Sequence, residues 1–159
     1  LNICSLLMLF LHHKLTTTME NNYKLSETRI CKAIFPNTLN ANNSLFGGKA
    51  MQWMDEAAYI SATRYTRQRM FTANTSEIQF LKPIEPDSII EVVAVVVKAE
   101  AVRLTVNVKI WVEKLYTPGR QLAIETNFTM VSLNEKNQPQ RIDYSHALQA
   151  ELMDEAISR

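Results

Sequence analysis

The chain has 159 residues, 47% of them apolar, enough to pack one domain core without staples and incompatible with disorder throughout. Lys and Arg number 17 against 16 Asp and Glu, a formal charge of +1 with no polybasic block, which argues against a nucleic-acid partner needing a basic face. The two cysteines stand at no metal-ligand spacing and the three histidines sit near the chain ends, leaving no zinc site and no central histidine base; this cysteine usage fits a reducing, cytoplasmic compartment.

Residues 1–18 differ from the rest. The apolar run Leu6 to Leu11 is far shorter than the roughly 20 residues of a membrane span. Lys14 follows that run where a secretory signal would place its charge ahead, so neither a membrane anchor nor a signal is expected. The native start is expected at Met19, with 1–18 a non-native or disordered leader, 19–144 the folded domain and 145–159 a peripheral helix.

Thr28 to Phe35 reads as a first strand closed by Pro36. An asparagine-rich loop then leads to Gly47 and Gly48. From Lys49 to about Arg67 no glycine or proline interrupts an Ala- and Met-rich pattern, which predicts one long helix. Strands are predicted over Thr75–Leu81, Ser88–Ala99, Val102–Leu115 and Gln121–Leu133. The third of these alternates cleanly, with Val102, Leu104, Val106, Val108 and Ile110 on one face. Short turns at Pro86-Asp87, Glu100-Ala101 and Tyr116 to Gly119 make the last three strands an antiparallel meander. Leu148, Leu152, Ala156 and Ile157 predict an amphipathic helix over Ser145–Arg159. This order is α+β, and the long helix is the natural cover for the apolar face of the sheet.

Only three glycines occur, and two are adjacent at the start of the helix. They serve either close backbone packing or the presentation of bare N–H groups to a developing anion. Gly48, Met51, Asp55, Ala58 and Ala62 fall at steps of three and four, which places Asp55 on the dry stripe, with Lys49, Gln52, Glu56 and Thr63 opposite. A carboxylate held there is either paired, with Arg64, Arg67 or Lys82, or employed in chemistry. Asn40, Asn42 and Asn43 are turn formers by type, and Asn40 gains meaning only in combination with the residues after it.

Those residues form the run Asn40-Ala41-Asn42-Asn43-Ser44-Leu45-Phe46-Gly47-Gly48-Lys49-Ala50-Met51-Gln52-Trp53-Met54-Asp55-Glu56-Ala57, continued by Phe80-Leu81-Lys82-Pro83-Ile84 and Lys109-Ile110-Trp111-Val112. The run resembles the hotdog-fold acyl-CoA thioesterases, the group of bacterial and brain-type acyl-CoA hydrolases, over about residues 28–135. The resemblance implies a long central helix wrapped by an antiparallel sheet. It also implies a homodimer with joined sheets and active sites across the interface, alone or as a hexamer of three dimers.

The implied substrate is acyl-CoA, hydrolysed to acid and CoA with no cofactor beyond the CoA of the substrate itself, and with no metal and no membrane partner. Asp55 matches the family's catalytic carboxylate, as general base or nucleophile. Asn40 matches the asparagine that completes the site from the partner chain. The Gly48 N–H, at the positive end of the helix dipole, is suited to the thioester oxyanion, and its missing β-carbon would let the acyl group approach. Phe46 stands where relatives often carry histidine; with Gly47 and Met51 it is a candidate for the acyl channel. Lys82 and Arg103 are candidates for the CoA phosphates, although relatives often carry a small polar residue at the position of Arg103. A dehydratase would need a His-carboxylate pair that is absent here. An acyl-CoA sensor would bring a DNA-binding segment that residues 1–27 do not offer, which leaves a non-catalytic acyl-CoA-binding protein as the alternative.

Overall fold

A computed structural model describes Tyr23 and residues 26–146. The expected leader and nearly all of the expected C-terminal helix lie outside these residues. Strand β1 (Thr28–Ala33) is followed by one 3-10 turn at Pro36–Thr38, then helix α1 (Gly47–Thr66). Five further strands follow: β2 (Met70–Thr75), β3 (Gln79–Phe80), β4 (Ser88–Ala99), β5 (Arg103–Lys114) and β6 (Arg120–Ser132).

The strands form one antiparallel sheet in the order β1-β4-β5-β6-β2, with β3 continuing along β6. The meander β4-β5-β6 arises because period-two sequences joined by short turns must bury one face. Ile90, Val92, Ala94 and Val96 of β4 and Leu104, Val106, Val108 and Ile110 of β5 point inward and are fully buried. α1 lies across that face as the wrapped helix of a hotdog fold. It buries Ala50, Trp53, Met54, Ala57, Ala58, Ser61, Ala62 and Tyr65, and the run of small residues lets the helix axis come close to the sheet. Arg67 ends the helix in the left-handed conformation (φ 55°), its N–H donating to the Thr63 carbonyl at 2.7 Å. No described helix is long and apolar enough to cross a membrane.

Two expectations are corrected. The strand predicted over Thr75–Leu81 is two pieces, and pairing with β6 begins five residues earlier, at Met70. β2 is a sheet edge whose residues 72–74 are exposed, so no alternating pattern marks it. Between β2 and β3 the chain leaves regular pairing but stays attached through the Ser76 N–H, which donates to the Asn127 carbonyl at 2.8 Å. The second correction concerns Asp55. The stripe facing the sheet is centred on Met54, Ala58 and Ala62, and Asp55, one residue and about 100° further round, is exposed in the single chain, as is Met51.

Candidate active site

The helix begins at the glycine pair. Phe46 is its N-cap and gives no side-chain cap, while the Lys49 and Ala50 N–H groups both reach the Phe46 carbonyl, at 2.9 and 3.1 Å. Among the described residues the N–H groups of Gly47 and Gly48 donate to no protein acceptor. Two bare donors therefore lie at the positive end of a helix that has no acidic residue in its first turn. The space left by the missing Gly48 β-carbon is not open to a ligand as expected: the Phe46 ring fills it, and a β-carbon there would stand 2.6 Å from Cε1 of that ring. At Gly47 the neighbour is the Phe80 ring, at ordinary contact distance.

Asn40 sits just ahead of this helix start. Its Oδ1 accepts from the Asn42 and Ser44 N–H groups at 2.9 and 3.2 Å, and its Nδ2 donates to Ser44 Oγ at 3.1 Å. The side chain therefore holds the loop in shape, the turn role open to any asparagine. It also borders a cavity of about 320 Å³ shared with Gly47, Phe80, Lys82 and Ile124. Lys82 donates to Gln121 Oε1 at 2.5 Å and carries no ion pair among the described residues, so it neutralises no carboxylate.

Asp55 belongs to a different place. It borders a larger cavity, about 740 Å³, with Gln52, Glu56, Tyr59, Arg69, Phe71 and Thr72. Thr72 Oγ1 donates to Asp55 Oδ1 at 2.6 Å, a hydrogen bond that fixes one carboxylate oxygen, while the other has no hydrogen-bond partner among the described residues. The ion pairs considered for Asp55 with Arg64, Arg67 and Lys82 do not form. Thr72 stands at a β-bulge: it pairs with Met130, and the next pair is Asn74 with Thr129, which leaves residue 73 unpaired on the strand edge.

Of the sequence candidates, the structure thus brings Asn40, Gly47 and Lys82 to one cavity and sets Gly48 and Phe46 beside it. Asp55 lies in another. Arg103, at the start of β5 beside the Glu100 turn, lines neither cavity. Thr72 was missed. It lies 17 residues from Asp55 and meets it only because the strand after the helix folds back along the sheet edge; no local pattern carries that information.

A sequence profile of the thioesterase superfamily matches residues 42–118. An uncharacterised acyl-CoA thioester hydrolase of Bacillus subtilis is 36% identical over 121 residues, covering 71% of this chain and 70% of that protein. The solved acyl-CoA hydrolase of Staphylococcus aureus, in complex with butyryl-CoA, CoA and CoA disulfide, superposes with a TM-score of 0.71 at 26% identity, covering 86% and 87% of the two chains. Structures are also known for that enzyme with alanine at an asparagine, at an aspartate fifteen residues further on and at a threonine seventeen beyond that. A hexameric thioesterase of Yersinia pestis superposes with a TM-score of 0.66 at 28% identity, covering 72% of this chain and 93% of that one. By sequence along more than two thirds of a relative's length, and by the helix and sheet that carry it, the chain belongs to the acyl-CoA thioester hydrolases of the thioesterase superfamily.

Proposed function

We propose that this protein hydrolyses acyl-CoA thioesters with Asp55 as the reacting carboxylate, in an active site made by two protomers. The observation that carries the reading is the Asp55 carboxylate at the edge of a large cavity, oriented by Thr72 and neutralised by no cation among the described residues. Asn40, Asp55 and Thr72 succeed one another at steps of fifteen and seventeen residues. The same two steps separate the three residues replaced in the Staphylococcus aureus hydrolase, which supports the assignment.

The helix supplies the reason for two protomers. Gly48 and Asp55 are seven residues apart, which at 1.5 Å per residue is about 10 Å along the axis, too far for both to serve one carbonyl. An N–H that receives the oxyanion and a carboxylate that delivers the nucleophile must each be within about 3 Å of the reacting group. The Gly48 amide and Asn40 of one chain are therefore assigned to the Asp55 and Thr72 of the other. β2, as the exposed edge beside Asp55, is where the two sheets would join. A dimer also encloses a carboxylate that is exposed in a single chain, excluding bulk water from competition.

In the reaction, Asp55 removes a proton from a water whose oxygen attacks the thioester carbon, or attacks that carbon itself to give a mixed anhydride that water then cleaves. The carbonyl oxygen becomes an oxyanion at the helix N-terminus, a contact worth about 3 to 4 kcal/mol in such sites. The C–S bond breaks, and the CoA sulfur leaves as a thiol after taking up a proton. Asn40 orients the water or the carbonyl, since its amide can donate and accept. Met51 and Phe46, both exposed near the helix start, would line the acyl side once the partner packs there, and Lys82, on the wall of the Asn40 cavity, would meet an anionic part of CoA. Arg103, outside both cavities, is left without that role. No cofactor beyond the CoA portion of the substrate is required, and a cytoplasmic location fits the substrate and the free Cys31 thiol.

Thiol release from a panel of acyl-CoAs, compared between the wild type and Asp55→Asn, tests the reading. Turnover on at least one chain length, abolished in the variant, is the expected result. Unchanged turnover in the variant removes Asp55 from the reaction, and tight acyl-CoA binding without thiol release identifies a binding protein instead. Light scattering distinguishes a dimer from a hexamer of three dimers.

A further inference from the structure

We propose that Arg69 anchors the phosphate-bearing half of coenzyme A, an inference that rests on acyl-CoA being the ligand of the Asp55 cavity. Arg69 lines that cavity of about 740 Å³, and it also lines a second one, about 470 Å³, formed by the turn from Leu133 to Gln140. Arg69 is the one residue the two spaces share, which places it where an acyl thioester in the first would continue into a nucleotide in the second.

Charge gives the reason for an anion at this point. Asp55 and Glu56 both border the first cavity, and Arg69 is the one basic residue among those that line it. An anionic substrate entering beside two carboxylates needs a cation there, and Arg69 is not consumed by either of them, since no ion pair holds it among the described residues. Its guanidinium lies 5.6 Å from the centre of the Phe71 ring, a cation–π contact that holds the group beside the strand without using its N–H donors. The planar fork of an arginine matches the paired oxygens of a phosphate.

Distance agrees. Arg69 immediately precedes β2 and stands three residue steps from Thr72, about 10 Å at 3.3 Å per step, and Thr72 holds the reacting carboxylate. The pantetheine arm spans such a gap between a thioester and the diphosphate. On the wall of the second cavity Lys136 is offset by its neighbour Glu135, so Arg69 is the cation that carries the anion preference of both spaces.

Calorimetric binding of CoA and of pantetheine, which lacks the phosphates, to the wild type and to Arg69→Gln tests this without depending on turnover. The variant is expected to bind CoA about 10- to 100-fold more weakly, to bind pantetheine as the wild type does, and to recover part of the loss as Arg69→Lys. Where turnover is measurable, the loss falls on KM for butyryl-CoA and not on kcat, and succinyl-CoA loses no more than butyryl-CoA. Equal weakening for CoA and pantetheine, unchanged CoA affinity, or no CoA binding by the wild type each overturns the proposal. A loss confined to succinyl-CoA overturns it in favour of an acyl-chain carboxylate as the partner of Arg69. Failure of thiol release with CoA binding intact and Arg69-dependent counts against the hydrolase reading alone.

Discussion

At the Asn40 corner the side-chain amide is engaged three times by its own loop, the neighbouring lysine is engaged by Gln121, and rings cover both glycines. At the Asp55 edge a carboxylate rests on an exposed helix face with one hydrogen bond, beside a bulged edge strand. The first region is finished within one chain; the second is held in position but left open. Donors can be built rigidly into a loop and a helix start because they must not move as charge develops. A carboxylate that has to meet water and substrate cannot be closed in by its own chain in advance.

Substitutions at the two regions should therefore differ in what they damage. Asp55→Ala is expected to lower kcat/KM about 10²- to 10⁴-fold while leaving the melting temperature unmoved, because an exposed side chain with one partner adds little to stability. A thermal shift alongside the lost activity would blur the contrast. Asn40→Ala should lose about 10²-fold in kcat and also about 1 to 2 kcal/mol of stability, since the Asn42 and Ser44 N–H groups lose their acceptor. Denaturant unfolding and initial rates measured on the same preparation separate the two effects.

Thr72→Val keeps the shape of the side chain and removes the donor. We expect about a tenfold fall in kcat with KM little changed; a change in KM alone would mean that Thr72 touches substrate instead of orienting Asp55. Co-expression of Asp55→Ala with Asn40→Ala chains asks whether the two regions meet across an interface. Random pairing should restore about a quarter of the wild-type activity, because half of the dimers are mixed and each of these has one intact site. Co-expressed activity no greater than that of the single variants would place Asn40 and Asp55 in the same site of one chain.

The smallest expected effect lies away from both regions, at the far end of the helix. The Tyr65 ring packs between Tyr23 and Tyr144, whose hydroxyl donates to the Glu100 carbonyl. Burial, reinforced by Tyr23 and Glu100, pushes the Tyr144 hydroxyl up to about 12 from its ordinary 10.0, and burial raises Tyr65 as well. The folded chain then keeps protons that the unfolded chain has already released. Stability is accordingly undiminished below about pH 10 and declines as pH rises toward 12. Tyr144→Phe should flatten that decline in pH-dependent unfolding without changing the activity lost through either half of the site.

How much of this was readable in the linear order of residues depends on where each signal resides. β4, β5 and β6 could be placed to within a residue or two because a strand with one buried face must alternate, and Ser88–Ala99 coincides with its expected span. The helix was readable because nothing in it breaks a helix, though it starts two residues earlier, at Gly47. The exposure of Asp55 was misjudged because a stripe drawn at steps of three and four can be centred on Asp55 or on its neighbour Met54, and only the docked sheet decides between them. β2 and its bulge were missed because an edge strand facing solvent is under no pressure to alternate.

The first strand, the long helix and the closing three-stranded meander, the glycine pair at a helix start and the family resemblance around Asp55 are properties of neighbouring residues, set by backbone preference and by the period of the apolar pattern. The Thr72 to Asp55 hydrogen bond, the separation of Asn40 from Asp55 into two cavities and the position of Arg69 between two spaces came from tertiary packing alone. Each depends on residues far apart in the chain, which only the docking of helix on sheet brings within reach.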